Sequence, residues 1–208
     1  MTAPIIKLSQ LAAATALTGT EAVPVVQGGV TKRTTAAELI PIPVEKFVFD
    51  TTNNTTPEEG EMAWNATDMT VDIGLPGDVT LQVGQELHMR VRASAAITDG
   101  QLVMATGSTG NSGRITAAPS SIDTDPMFII GVATMNIPNN TDGFVTSFGA
   151  VRGIDTDGSV VGESWANGDV LYPHPTIAGR MTKGAHTIDL PIAFVLFAGN
   201  NGSIFVRR

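Results

Sequence analysis

The chain contains no cysteine, which excludes disulfide staples, thiolate metal sites and cysteine nucleophiles. Aromatic residues make up only 5%, with a single tyrosine, poor material for a groove that stacks sugar rings. Charged residues are also sparse, at 15%. The formal net charge of −8 disfavours nucleic acid as a partner, because phosphate binding needs lysine and arginine in excess. No apolar run approaches the roughly 18 to 20 residues that span a bilayer, and the alanine-rich stretch Leu11–Leu17 is too short to anchor, so no membrane partner is expected. No basic region followed by an apolar one opens the chain, and no cleaved leader is expected. What remains is 22 glycines, 12 prolines and 42% apolar residues in 208 positions. That is the composition of a folded, loop-rich β protein with one sizeable core.

Charge is unevenly divided. Residues 1–40 carry three basic and two acidic side chains, whereas the rest carries nine basic and eighteen acidic ones. Within the first segment, Leu8–Leu17 reads as a short helix. Ala22–Gln27 reads as a strand that Pro24 confines to an edge, Gly28-Gly29 as a two-residue hairpin turn, and Val30–Arg33 as the returning strand. Thr35 and Glu38 fit a capping box, but Pro41 and Pro43 stop that helix after about one turn. Pieces this small are marginal alone in water, so the segment must dock, on a partner or on its own body. Val44–Phe49 is a further expected strand, and Asp50–Gly60 is a polar run of turn formers that reads as a linker.

The strongest periodic signal follows. Met69, Val71, Ile73 and Leu75 alternate with Thr70, Asp72 and Gly74 up to the turn Pro76-Gly77-Asp78. Val79, Leu81, Val83, Leu87, Met89 and Val91 then alternate with polar residues, with Gln85 interrupting the apolar set. This predicts a two-faced β-hairpin. Its second arm of 13 residues would run roughly 40 Å, long beside the usual five or six residues. Either Gly84 marks a bend that keeps the arm in a compact body, or the arm projects and needs partners. From residue 93 onward short strands are expected at 101–106, 114–118, 127–135, 143–151, 169–172, 179–182, 190–197 and 203–207, with turn clusters between them. The fold class is therefore mainly β. An N-terminal anchoring segment (residues 1–43: short helix and hairpin) leads through a strand and polar linker (44–60) to an all-β body (61–208), itself an amphipathic hairpin (69–91) and a small antiparallel β-barrel or sandwich.

No constellation in the sequence carries chemistry. His88, His174 and His186 lack metal-ligand spacing, and no His-Glu-x-x-His or Gly-x-Ser-x-Gly occurs. His88 shares the polar alternation with Glu86, Arg90 and Arg92, on a face that is solvent or a polar seam between subunits. The loop Gly107–Gly113 lacks the Gly-Lys-Ser/Thr ending of a phosphate loop. Asp155-Thr156-Asp157-Gly158 has the look of a calcium loop, but Glu163 comes too early for the twelve-residue pattern, and a turn is expected. Trp64 and Trp165 read as core anchors. No catalytic residue, metal or cofactor is expected.

The run Leu-Thr-Gly-Thr-Glu (17–21), Val-Pro-Val-Val-Gln (23–27) and Gly-Val-Thr-Lys (29–32) resembles a segment found at the N-termini of bacteriophage tail-fibre and related virion proteins. Pieces of the body also resemble phage structural proteins, among them Met62–Asn65, Leu81–Glu86, Ile130–Ala133, Gly143–Gly149, Val151–Gly153, Gly162–Trp165, Gly168–Tyr172 and the closing Ile204-Phe-Val-Arg. The resemblance implies a non-enzymatic virion component, commonly a homotrimer, assembled in the host bacterial cytoplasm and fixed to the particle by its N-terminal segment. Its partners would be other virion proteins of the tail, neck or capsid and further copies of itself, with a host-surface glycan as a ligand the sequence does not establish. With 208 residues and no repetitive shaft, the expectation is a short tail or neck fibre or an adaptor. The alternative is a capsid decoration protein that stabilises the head.

Two residue sets carry these expectations. Val23, Val25, Val26, Gln27, Val30, Lys32 and Arg33 would meet the virion by adding strands along the first hairpin, the two basic residues facing an acidic partner. Val71, Ile73, Leu81, Val83, Leu87 and Met89 would form the contact between copies, since a long two-faced hairpin has too little of its own chain to cover it.

Overall fold

Gly28 and Gly29 take φ values of +60° and +75°, the left-handed pair that a two-residue turn between strands requires. In the computed structural model, which describes residues 22–35, 47–52 and 54–208, they join β1 (Ala22–Gln27) to β2 (Val30–Thr35) in an antiparallel pair running from Gln27↔Val30 to Ala22↔Thr35. The chain divides into two units, residues 1–48 and 49–208. The expected helix at 8–17 and the Glu38 half of the expected capping box lie outside the described residues, and Thr35 closes β2. The strand expected at 44–49 is not found in its described part, residues 47–49, where Phe47 and Val48 are exposed. A β-prone run forms a strand only where a neighbour accepts its backbone hydrogen bonds, and none pairs with it among the described residues.

The second unit is mainly β. Its first three strands are β3 (Met62–Asn65), β4 (Thr70–Leu75) and β5 (Val79–Gln82), which form a small antiparallel sheet in that order. Next come β6 (Leu87–Ala93), β7 (Leu102–Thr109), β8 (Arg114–Pro119), β9 (Ile129–Ala133) and β10 (Asp142–Ile154). These five close on themselves in the order β10-β6-β8-β7-β9, with β9 returning to β10. The result is a closed five-stranded barrel. Its pairs are antiparallel except β6 with β8, where Arg92 faces Thr116 and Ala93 faces Ala117 in parallel. The last strands are β11 (Val170–Pro173), β12 (Met181–Thr182), β13 (Ala193–Phe197) and β14 (Gly202–Arg207), which extend the barrel as an antiparallel sheet in the order β10-β14-β13-β11-β12.

β10 makes this possible by serving both halves. Its first residues pair with β6 and β9, and residues from Phe148 onward pair with β14. Its alternation accordingly feeds two cores. Val145 joins Val91, Ala93, Val103, Ala117 and Ile137 in one, while Val151 joins Leu102, Val132, Leu171, Val195 and Ile204 in the other. Barrel closure demands a glycine at 131, where φ is +146° and a Cβ would stand 2.1 Å from the Thr146 carbonyl oxygen on the crossing strand.

The 13-residue arm expected at 79–91 does not run unbroken. The chain turns at 83–86, with the Gln85 and Glu86 amides donating to the Gln82 carbonyl at 3.1 and 3.0 Å. The bend at Gly84 therefore applies, and the arm does not project. β5 stays with β4, while β6 enters the barrel.

Candidate assembly interface

The small sheet is built inside out. Strand alternation puts Thr70, Asp72 and Gln82 on one face, and all three are buried, at 6, 7 and 5% exposure. The opposite face carries Met62, Val71, Ile73, Leu81 and Val83, which are half-buried or exposed, and Val79, which is buried. Burying polar groups costs least when they are hydrogen-bonded, and most of those here are, with Asp72 Oδ1 left without a partner among the described residues. Asn65 Nδ2 donates to Asp72 Oδ2 at 2.9 Å, Gln82 Nε2 to Asp68 Oδ2 at 2.6 Å, and Thr70 Oγ1 to the Val83 carbonyl at 2.8 Å. Residues 57–60 of the expected linker lie against the same sheet, where Pro57 is buried and the Gly60 amide donates to the Gly74 carbonyl at 3.0 Å.

A second cluster fastens this sheet to the barrel. Glu86 is almost fully buried, accepts from the Gln82 amide at 3.2 Å and pairs with Arg152 Nη1 of β10 at 2.6 Å. Arg152 Nη2 also donates to Gln82 Oε1 at 2.8 Å. His88, equally buried, has Nδ1 3.1 Å from Thr146 Oγ1 and Nε2 3.3 Å from the Thr80 carbonyl and 3.5 Å from Glu86 Oε2. The face of His88 expected as solvent or an intersubunit seam is here an internal seam between the sheet and β10. The arginine spans two of its partners at once, as a planar guanidinium can.

The six residues expected at a contact between copies thus divide. Val71, Ile73, Leu81 and Val83 share the outer face of the small sheet. Leu87 opens β6 and is 64% exposed, whereas Met89 pairs in register with Val145 and packs against the barrel core. Of the expected anchor residues, Val23, Val25, Gln27, Val30 and Lys32 occupy one set of alternating register positions in the first hairpin, and Val26 and Arg33 occupy the other. No third strand pairs with β1 or β2 among the described residues.

An apolar surface also appears that the sequence reading missed. Phe148, Phe205 and Phe194 form a row across β10, β14 and β13, with ring centroids 5.2 and 5.3 Å apart, and exposed Val170 extends it onto β11. The signal was present in Ala-Phe-Val-Leu-Phe (193–197), which is apolar on both faces rather than alternating.

The residues screened for chemistry are engaged locally. His174 Nδ1 accepts from the Thr176 and Ile177 amides at 3.2 and 3.1 Å, and His186 stacks on Tyr172 with centroids 3.7 Å apart. Asp155 Oδ1 accepts from the Asp157 amide at 3.1 Å and Asp157 Oδ1 from the Ser159 amide at 2.7 Å, two consecutive turns. Hydrogen bonds from Ser159 hold the Asp157 carboxyl below its ordinary range. Trp165 packs on the larger core and its Nε1 donates to Glu163 Oε2 at 2.6 Å. Partial burial raises the Glu163 pKa, but bonds from Thr182, Trp165 and the Lys183 and Gly184 backbone outweigh it and leave the pKa lowered. Among the described residues, no three histidine or acidic side chains gather as a metal site.

One charged cluster stands apart on the outside of the barrel. Arg90 Nη2 and Arg114 Nη1 reach Asp142 Oδ2 at 2.6 and 2.8 Å, and Arg92 Nη1 reaches Oδ1 at 3.5 Å. Partial desolvation raises the Asp142 pKa and the charges of Arg114 and Arg90 lower it, with the arginines prevailing. A lowered folded-state pKa stabilises above the unfolded value and loses that stabilisation as pH falls through the folded one. Asp142→Asn should therefore lower the melting temperature at pH 7, and the gap to the parent should close below about pH 4. Calorimetry of both proteins across pH 2–7 checks this, and a gap that persists unchanged at the acid end would contradict it. Comparison with protein-family models, curated proteins and solved structures gives no match for this chain.

Proposed function

We propose that this protein is a non-enzymatic structural component of a bacteriophage particle, a short tail or neck fibre or adaptor. In this reading it is fixed through its N-terminal segment and self-associates as a homotrimer. The observation that carries the assembly reading is the inverted polarity of the β3–β5 sheet. A sheet that turns its hydrogen-bonded polar side inward and its valine, isoleucine and leucine side outward gains by finding another apolar surface. Val71, Ile73, Leu81 and Val83, half-buried or exposed, supply that side. The phage assignment rests on the residues of 17–32 that resemble virion N-termini, and the β1–β2 hairpin that overlaps them pairs with no third strand among the described residues, as strand addition would require.

Multi-angle light scattering on the full chain should give three chain masses. Val83→Asp should raise the concentration at which the trimer half-dissociates by about tenfold or more, because the substitution buries an unpaired carboxylate in the seam. A monomer mass for the parent protein would contradict the assembly reading. Removing residues 1–43 should leave the body folded and trimeric yet absent from purified particles, and incorporation of the truncated chain would contradict the anchoring role. Copy number in a particle separates the fibre reading from capsid decoration: a small multiple of three or six supports the first, hundreds the second.

A further inference from the structure

Eight basic side chains occur in residues 49–208, and three of them, Arg90, Arg92 and Arg114, converge on the single carboxylate of Asp142. One negative charge among three positive ones leaves the cluster at a net +2 on a strongly acidic body. Their side chains stay 57, 38 and 33% exposed, and each guanidinium keeps further N–H donors beyond its bond to Asp142. Like charges held this close repel, and an incoming oxyanion relieves the repulsion while taking the free donors.

The opposite charge is close by on the same unit. Glu58, Glu59 and Glu61 are exposed, and neither Glu58 nor Glu59 makes an ion pair among the described residues. This acidic segment is held in place, since the Gly60 amide bonds to β4 and Glu61 Oε2 accepts from the Glu58 amide at 3.0 Å. The Pro76-Gly77-Asp78 turn stands between the two patches. Pro76 lines a groove with Arg90 and Asp142, while Gly77 and Asp78 line another with Glu58 and Glu59. Complementary patches on either side of one turn do not meet within a copy, but they can meet between copies.

We propose that the Arg90–Arg92–Arg114 cluster is a docking site for the Glu58-Glu59-Gly60-Glu61 segment of a neighbouring copy. Two different patches in contact make a head-to-tail interface, and such an interface closes into a ring when the rotation between copies is right. The inference rests on the self-assembly proposed above and adds which surfaces meet and in what sense. An acidic segment of this chain is favoured over a phosphate polymer, because the net negative body repels a polyanion.

The test is a charge exchange on the full chain, read as the concentration of half-dissociation by light scattering at low and high salt. Arg90→Glu with Arg114→Glu, and separately Glu58→Arg with Glu59→Arg, should each raise that concentration by about tenfold or more at low salt. All four substitutions together should return it to within about threefold of the parent value. Glu58→Gln with Glu59→Gln, which leaves the barrel untouched, should weaken assembly in the same direction and guards against a folding defect in the arginine variants. If each reversal stays within twofold of the parent, or the fourfold exchange is weaker than either pair, the docking assignment is overturned while the trimer stands. A parent protein that is monomeric, by contrast, removes the assembly reading itself, and the docking site with it.

Discussion

Glu86 and Arg152 are 66 positions apart in sequence and 2.6 Å apart in space, with the acid almost fully buried. A buried carboxylate without that partner would be strongly unfavourable, so the pair fixes where the β5–β6 turn meets β10. Gln82 bonds to the same guanidinium, and His88 lies against both Glu86 and Thr146. Once the polar side of the small sheet is committed to this seam, strand alternation leaves no choice for the other side. Val71, Ile73, Leu81 and Val83 fall on that other side, half-buried or exposed.

That constraint explains a property unusual in a small β body. Polar side chains are ordinarily outside and aliphatic ones inside, and here the small sheet buries Thr70, Asp72 and Gln82 while the barrel and the sheet beside it enclose aliphatic cores. The barrel supplies the rigidity. Its strands close without an edge, and β10 carries the closure over into the sheet of β14, β13 and β11. A rigid scaffold presenting an apolar sheet, an aromatic row on Phe148, Phe205 and Phe194, and an arginine cluster of net positive charge is organised around surfaces rather than around a cavity.

Much of the architecture was legible in the residues. Turn clusters marked the strands from β7 to β14, and Gly28-Gly29 marked the first hairpin, because these depend on local backbone preference. Gln85 broke the apolar alternation where the chain in fact turns. The burial side of the 70–82 hairpin was not legible, because alternation defines two faces and only a distant residue, Arg152, decides which turns inward. β3 was missed because four residues beginning at Met62 carry little β signal of their own and depend on β4 for their bonds. The outer phenylalanines were missed for the reverse reason: a run apolar on both faces reads as buried, whereas Phe194 and Phe197 are exposed. The parallel pairing of β6 with β8 is likewise a consequence of barrel closure and has no local signature.

If copies join through the outer face of the small sheet as proposed, assembly covers that face. Two methionines allow a direct comparison, since Met62 lies on that face at 56% exposure and Met127 lies in a separate turn at 75%. Peroxide oxidation followed by peptide mass spectrometry, at concentrations where the protein is assembled, reports their relative accessibility. Oxidation of Met62 slowed about tenfold or more relative to Met127, and restored on dilution or in Val83→Asp, is the result this account predicts. Equal rates for the two methionines in the assembled protein would contradict it.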